Sequence, residues 1–179
     1  MLIGDPTKFA IRYELDQHHG DKWMFGRVSF VINGIEVGDY SLGTSLRDVL
    51  FIFEQLLKSR NQRRDDKKYS MNPIELYGML DDGLFGNESS EFAETAFREA
   101  WGRFYITPSL DVFNGWKIFI VENAYNGRII FSHNFDQLHG MIDEVIINSG
   151  DFDHVLTQAI IGLQKIYDAA LQNLTCRGT

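Results

Sequence analysis

Asp81 and Asp82, followed by Glu88, Glu91 and Glu94, form the densest run of carboxylates in the chain. Paired carboxylates can do general acid–base work or hold a divalent ion. The first role requires one of them to be desolvated so that its pKa rises. Here Gly83, Gly86, Asn87, Ser89 and Ser90 stand among them, the composition of a wet loop. The reading is therefore a solvated acidic face first, an acidic docking patch second and catalysis last. Over residues 75–99, Glu75, Asp81, Asp82, Glu88, Glu91, Glu94 and Glu99 stand against Arg98 alone, a net of −6.

Other residues that could do chemistry are thinly spread. Asp16, His18, His19 and Asp21 are the one cluster of metal-ligand types. Neighbours in a strand point to opposite sides, so His18 and His19 could share an ion only in a bent turn, and a solvated hairpin loop is the plainer reading. His133, His139 and His154 are too dispersed to suggest a triad. Cys176 is the single cysteine, with no base near it in sequence to make it a nucleophile. No phosphate-binding loop, dinucleotide fingerprint, HExxH, paired-cysteine ligand set or nucleophile elbow occurs. No catalytic residue, metal or cofactor is expected. Lys58, Arg60, Arg63, Arg64, Lys67 and Lys68, offset by Asp65 and Asp66, give +4 within residues 58–68. With only Tyr69 nearby for base stacking, this stretch reads as a solvated loop rather than a nucleic-acid site. Trp23, Trp101 and Trp116 read as core or half-buried strand residues, one of which could serve as an interface anchor.

These residues need elements to position them. Phe9, Ile11, Tyr13 and Leu15 alternate with Ala10, Arg12, Glu14 and Asp16, the period of a half-buried strand. Asn33-Gly34 can take positive φ at both central positions of a type I′ turn and should join Trp23–Ile32 to Ile35–Tyr40 as a hairpin. Ser45 with Asp48 predicts a capped helix to about Lys58, with Leu46, Val49, Leu50, Phe53, Leu56 and Leu57 as its buried stripe. Asn72-Pro73 predicts a helix start, and Asp81-Asp82-Gly83 its stop. Over 88–100, Phe92, Ala93, Ala96, Phe97 and Ala100 recur at helical spacing. Strands are expected at Arg103–Thr107, Trp116–Glu122, Arg128–His133 and Glu144–Asn148, with a turn signal at Asn126-Gly127. The longest helix should run from Phe152 to about Asn173, with Val155, Leu156, Ala159, Ile160, Leu163, Ile166, Tyr167 and Ala170 facing inward. Early hairpins, later strands and intervening helices predict an α+β fold: a mainly antiparallel sheet with helices chiefly on one face.

At 179 residues the chain fits a single domain, and 14 Phe among 44% apolar residues suffice for a core. The lone cysteine fits a reducing cytosol. Neither a signal peptide nor a membrane span is expected, the longest apolar run being Val49–Phe53. The net charge of −8 becomes −12 once the basic stretch is set aside. Such a surface repels nucleic acid and favours a cationic partner by attraction that salt screens.

Gly4-Asp5-Pro6 followed by Lys8-Phe9-Ala10-Ile11 resembles the start of immunity protein family 42. Trp23, Gly26, the Ile32-Asn33-Gly34 turn, Gly115-Trp116-Lys117, Glu144-Val145, Gly150, Phe152 and Val155 continue the resemblance over nearly the whole chain. It implies one immunity-protein-like domain over 1–179. It also implies a cytoplasmic, non-enzymatic partner for the C-terminal domain of a bacterial polymorphic or contact-dependent growth inhibition toxin, such as a basic nuclease. No catalytic residue comes with it. The candidate partner-binding residues are Asp81, Asp82, Leu84, Phe85, Glu88, Glu91 and Glu94. The competing readings are a housekeeping interaction module and a small hydrolase working through Asp81 and Asp82.

Overall fold

The computed structural model describes residues 1–86, 90–133 and 141–177, the last five by backbone alone. In chain order the elements are β1 (Leu2–Asp5), β2 (Phe9–Leu15), β3 (Phe25–Ile32), β4 (Ile35–Val37), β5 (Thr44–Ser45), α1 (Leu46–Leu57), α2 (Asp66–Tyr69), α3 (Pro73–Phe85), α4 (Ala93–Arg98), β6 (Trp116–Glu122), β7 (Asn126–His133), β8 (Asp143–Asn148) and α5 (Asp151–Arg177). The fold is α+β with antiparallel sheets, as the pattern of elements predicts. The strands divide between two sheets, and the chain between two compact units.

The first unit takes Met1–Lys58, Pro108–Asn114 and the chain from Asp151 on. Its sheet runs β1-β2-β3-β4, with β5 on the same edge of β3 as β4. Asn33 (φ 52) and Gly34 (φ 76) form the tight turn between β3 and β4, pairing Ile32 with Ile35. Positive φ at both positions matches the right-handed twist of the strands, which is why Asn-Gly sits there. The hairpin is shorter than expected. Asp21–Trp23 coils into a 3-10 turn, and pairing ends at Val37.

Period-two burial puts Phe9, Ile11 and Tyr13 of β2 on the same face as their register partners Ile32, Phe30 and Val28. Both α1 and α5 cover that face. Ser45 caps α1 by accepting a bond from the Asp48 amide (3.3 Å). Phe30 lies at the centre of the unit, in ring contact with Phe9 (5.3 Å), Phe53 of α1 (5.9 Å) and Phe113 (4.9 Å). Phe152 of α5 reaches Phe9 (5.0 Å).

α5 approaches the sheet closely enough that side-chain volume becomes limiting. A Cβ on Gly162 would stand 2.2 Å from the Tyr13 hydroxyl, on a ring that is buried and cannot swing aside. Ala in place of Gly favours a helix by about 1 kcal/mol, whereas overpacking costs about 1–3 kcal/mol. We expect Gly162→Ala to be a net loss of roughly 1 kcal/mol, despite the gain in helix propensity. Urea unfolding monitored by circular dichroism checks it, and a stabilised variant would contradict it.

The second unit takes Ser59–Thr107 and Gly115–Gly150. Its sheet runs β6-β7-β8, and both strands of the β6–β7 pair are apolar on both faces and buried. Leu76, Tyr77 and Leu80 of α3 pack with Phe119, Val121 and Ile130 of the sheet, and with Trp101 and Phe104. Three expectations need correction. Arg103–Thr107 is not a strand: Trp101–Phe104 is a 3-10 turn, and only Tyr105 makes a bridge, to Phe119. The β6–β7 connection, expected over 123–127, ends sooner, since Asn126 and Gly127 already belong to β7 and pair with Asn148 and Ile147. The Asn123 side chain accepts bonds from the Tyr125 (2.8 Å) and Asn126 (2.7 Å) amides and fixes it there. Finally, the basic stretch is not a plain solvated loop, since Arg63 and Lys68 are buried and α2 forms within it.

Candidate functional site

Asn72 caps α3 by accepting a bond from the Ile74 amide (3.0 Å), and Pro73 fills the first turn, where no amide is needed. The helix does not stop at Asp81-Asp82-Gly83 but continues to Phe85, because Leu80 and Leu84 extend its apolar stripe onto the core. Asp81 lies one turn beyond the buried Tyr77, over the sheet, and forms an ion pair with Lys117 of β6. Phe85, the next turn on, packs edge-on against Tyr105 (5.0 Å, 68°), with the Lys117 ammonium 4.9 Å from its ring. Lys117 thus serves both residues. Burial, and then the Asp81 charge, push the Tyr77 hydroxyl up to about 12, so it stays protonated at any physiological pH.

The remaining candidates are arranged differently. Asp82 is exposed and accepts a bond from the Ser90 hydroxyl (2.5 Å), whose oxygen in turn accepts from the Phe92 amide (3.1 Å). Asp82 therefore anchors the segment that leads into α4. Leu84 is half-buried against the core, and Phe85 is about half exposed. Glu91 and Glu94 are exposed, with no ion-pair partner among the described residues. Glu88 lies outside the described residues.

Two of the seven acids of residues 75–99 are matched by lysines. Glu99 pairs with Lys68 (3.2 Å) and also accepts a bond from the Trp101 indole (2.9 Å). Lys68 reaches Asp65 as well (2.9 Å), and its ammonium sits 4.7 Å from the Trp101 ring. With Asp81 and Glu99 set against their lysines, Glu75, Asp82, Glu91 and Glu94 remain against Arg98, a net of −3 among the described residues.

One residue of this region was missed by its pattern. Phe97 recurs with Phe92, Ala93, Ala96 and Ala100 at helical spacing, which does not tell which of them are buried. In α4, Ala96 is buried and Phe92 packs on Trp101 (6.4 Å), yet Phe97 is 91% exposed. Phe97 follows Ala96 by one residue, about 100° around the helix, so the two cannot both face the core of a six-residue helix. The available signal was an apolar stripe too wide for so short an element.

The other candidates do not converge. Asp16 lies 4.0 Å from Arg27, His18 is exposed, and the His19 ring nitrogen lies 3.4 Å from the Asp21 carbonyl. Among the described residues no three His, Cys, Asp or Glu side chains are grouped to hold a metal ion. His133 lies against Trp116 with the rings tilted (4.6 Å, 50°), His154 is exposed on α5, and His139 lies outside the described residues. Trp101 is buried, whereas Trp23 is partly exposed beneath the Arg47 guanidinium (4.0 Å). No described helix is long and apolar enough to cross a membrane.

Exposed carboxylates and an exposed aromatic, held on an α+β scaffold, offer the equipment of a protein that binds another protein. A sequence profile described as Immunity protein 42 matches residues 1–161, and the chain belongs to that family. It is a toxin-neutralising immunity protein whose partner is a toxin protein, and membership implies a non-catalytic inhibitor. In fold it is similar to the crystal structure of CdiI from Burkholderia dolosa AUO158, with a TM-score of 0.71 and 21% identity over 90% of this chain and 99% of that one. Comparison with curated protein sequences gives no match.

Proposed function

We propose that the protein neutralises the C-terminal nuclease domain of a contact-dependent growth inhibition toxin in the cytoplasm, by covering a basic surface of that domain with the acidic region around α3 and α4. Catalysis plays no part in this role. The observation that carries it is the pair Glu91 and Glu94, two exposed carboxylates without partners among the described residues. A nuclease concentrates positive charge where it holds phosphates, so an acidic face both steers the encounter and obstructs the substrate. Of the candidate residues, Asp82, Glu91 and Glu94 are the ones placed to supply long-range attraction. Asp81 is already matched by Lys117, and Leu84 is turned toward its own core. Protection against a delivered toxin calls for nanomolar affinity or better, on the order of −12 kcal/mol.

The test is association kinetics with the C-terminal domain of the protein encoded immediately upstream, at two salt concentrations. Glu91→Gln with Glu94→Gln should slow association several-fold at low salt, flatten its salt dependence and leave thermal stability unchanged, because exposed charges act mainly through a screened field. Unchanged association rates would move the binding face elsewhere. Failure of the parent to bind at all would remove the proposal.

A further inference from the structure

The geometry points to Phe97 as the apolar anchor of the toxin interface, inserted into a pocket of the partner that is rimmed by lysine or arginine. The inference rests on the toxin-binding function proposed above and adds to it the residue that holds the complex together.

Phe97 is the most exposed large apolar side chain among the described residues, at 91%. An isolated exposed apolar residue on a mobile loop would mean little. Phe97 is held differently. α4 is fastened on its inner side by Ala96 in the core and by Phe92 against Trp101. Its C-terminal end is closed by Arg103, whose guanidinium donates to the carbonyls of Glu99 and of Ala100 (2.9 Å). A cation at that end also complements the helix dipole. The Asp82–Ser90–Phe92 chain of hydrogen bonds ties down the segment entering the helix. The ring is therefore presented from a fixed backbone, and little ordering entropy is lost when a partner covers it. Phe85, the aromatic among the candidate partner-binding residues, is less available: about half of it is already covered, with Tyr105 and Lys117 against its ring.

Charge selects the partner. Glu94 lies three residues before Phe97, on the same side of α4, and Glu91 is exposed in the turn that precedes the helix. An acidic partner, or a second copy of this acidic region, would bring like charges together as the ring became buried. A basic protein surface with an apolar recess satisfies both the ring and the carboxylates. Aromatic anchors surrounded by charged rims set dissociation rates, while the rims set association rates.

The experiment uses the full chain and the purified C-terminal domain of the protein encoded immediately upstream. Phe97→Ala should leave thermal stability and association rate unchanged and raise the dissociation rate at least tenfold, and Phe97→Leu should recover part of that loss. The same variant should fail to protect cells expressing the toxin domain at low immunity-protein levels. A parent complex that forms tightly but dissociates no faster with Phe97→Ala would overturn the anchor while leaving the toxin-binding function intact. A change in oligomeric state on Phe97→Ala, with dissociation unchanged, would assign the ring to self-association and overturn it too. Absence of any complex with the parent would remove the function and the anchor together.

Discussion

Lys68→Met is expected to destabilise the second unit by about 3 kcal/mol, at the lower end of what breaking a buried ion pair costs. Lys68 is 8% exposed, and its ammonium stands between Asp65, Glu99 and the Trp101 ring. Methionine keeps the apolar stem but leaves Asp65, itself largely buried, without its counter-charge. Glu99 is far more exposed and can turn to water, which keeps the loss from reaching the upper end of the range. A second substitution separates charge from packing. Asn caps a helix about as well as Asp, so Asp65→Asn retains the bond now accepted from the Lys68 amide (2.9 Å) while removing the stranded charge. The double variant should therefore be more stable than Lys68→Met alone. Guanidinium unfolding of the four proteins of this cycle checks it, and additive losses would contradict it.

The same cluster carries a pH signature. Burial raises the Asp65 carboxyl, but the bonds from the Lys68 amide and ammonium, together with the charges of Lys68 and Arg103, outweigh it and hold the group below its ordinary value. The Trp101 indole and Lys68 lower Glu99 likewise. A depressed carboxyl contributes stability that is complete above its unfolded pKa and is lost as pH falls through the folded one. Acid unfolding should consequently begin below about pH 4, and the loss caused by Lys68→Met should shrink as pH falls, because protonation removes the stranded Asp65 charge.

Phe30→Ala is expected to cost about 3–5 kcal/mol, the range for deleting a buried phenylalanine ring. No part of Phe30 is exposed, and its ring touches Phe9, Phe53 and Phe113, which belong to the sheet, α1 and the Asp111–Phe113 turn. Three ring contacts end at once, and the β3 backbone cannot move to close the void because it is paired on both edges. Since whole domains are stable by only about 5–15 kcal/mol, this single change should remove a large fraction of the total stability. Urea titration followed by tryptophan fluorescence gives the value. A loss below about 1 kcal/mol would mean that the aromatic cluster collapses freely.

Local chemistry made much of the fold legible. The Asn33-Gly34 turn, the Ser45 cap and the Asn72-Pro73 start each depend on residues within a few positions of one another, and each forms where expected. What failed depends on partners far along the chain. Asp81 reads as a free surface acid until Lys117, 36 residues on, is placed beside it. Lys68 reads as one charge in a basic run until Glu99, 31 residues away, draws it into a buried cluster. Arg103–Thr107 alternates like a strand, yet one bridge to β6 is all the pairing it makes. Phe97 shows a third kind of failure. Apolar spacing reports which residues could share a face, not which of them a short helix has room to bury.

The route of the chain through its two units affects when protection can begin. Phe9 meets Phe152, and α5 completes a core that β1 to β4 started, only after the whole of the second unit has been made. At about 5–20 residues per second of synthesis, the first sheet waits on the order of ten seconds with its apolar face covered by α1 alone. During that interval the second unit, whose two stretches are both complete by Gly150, can mature first. A nascent chain is thus exposed to chaperone capture and degradation on its N-terminal side. The supply of active inhibitor in a growing cell depends on finishing each molecule, and not only on starting it.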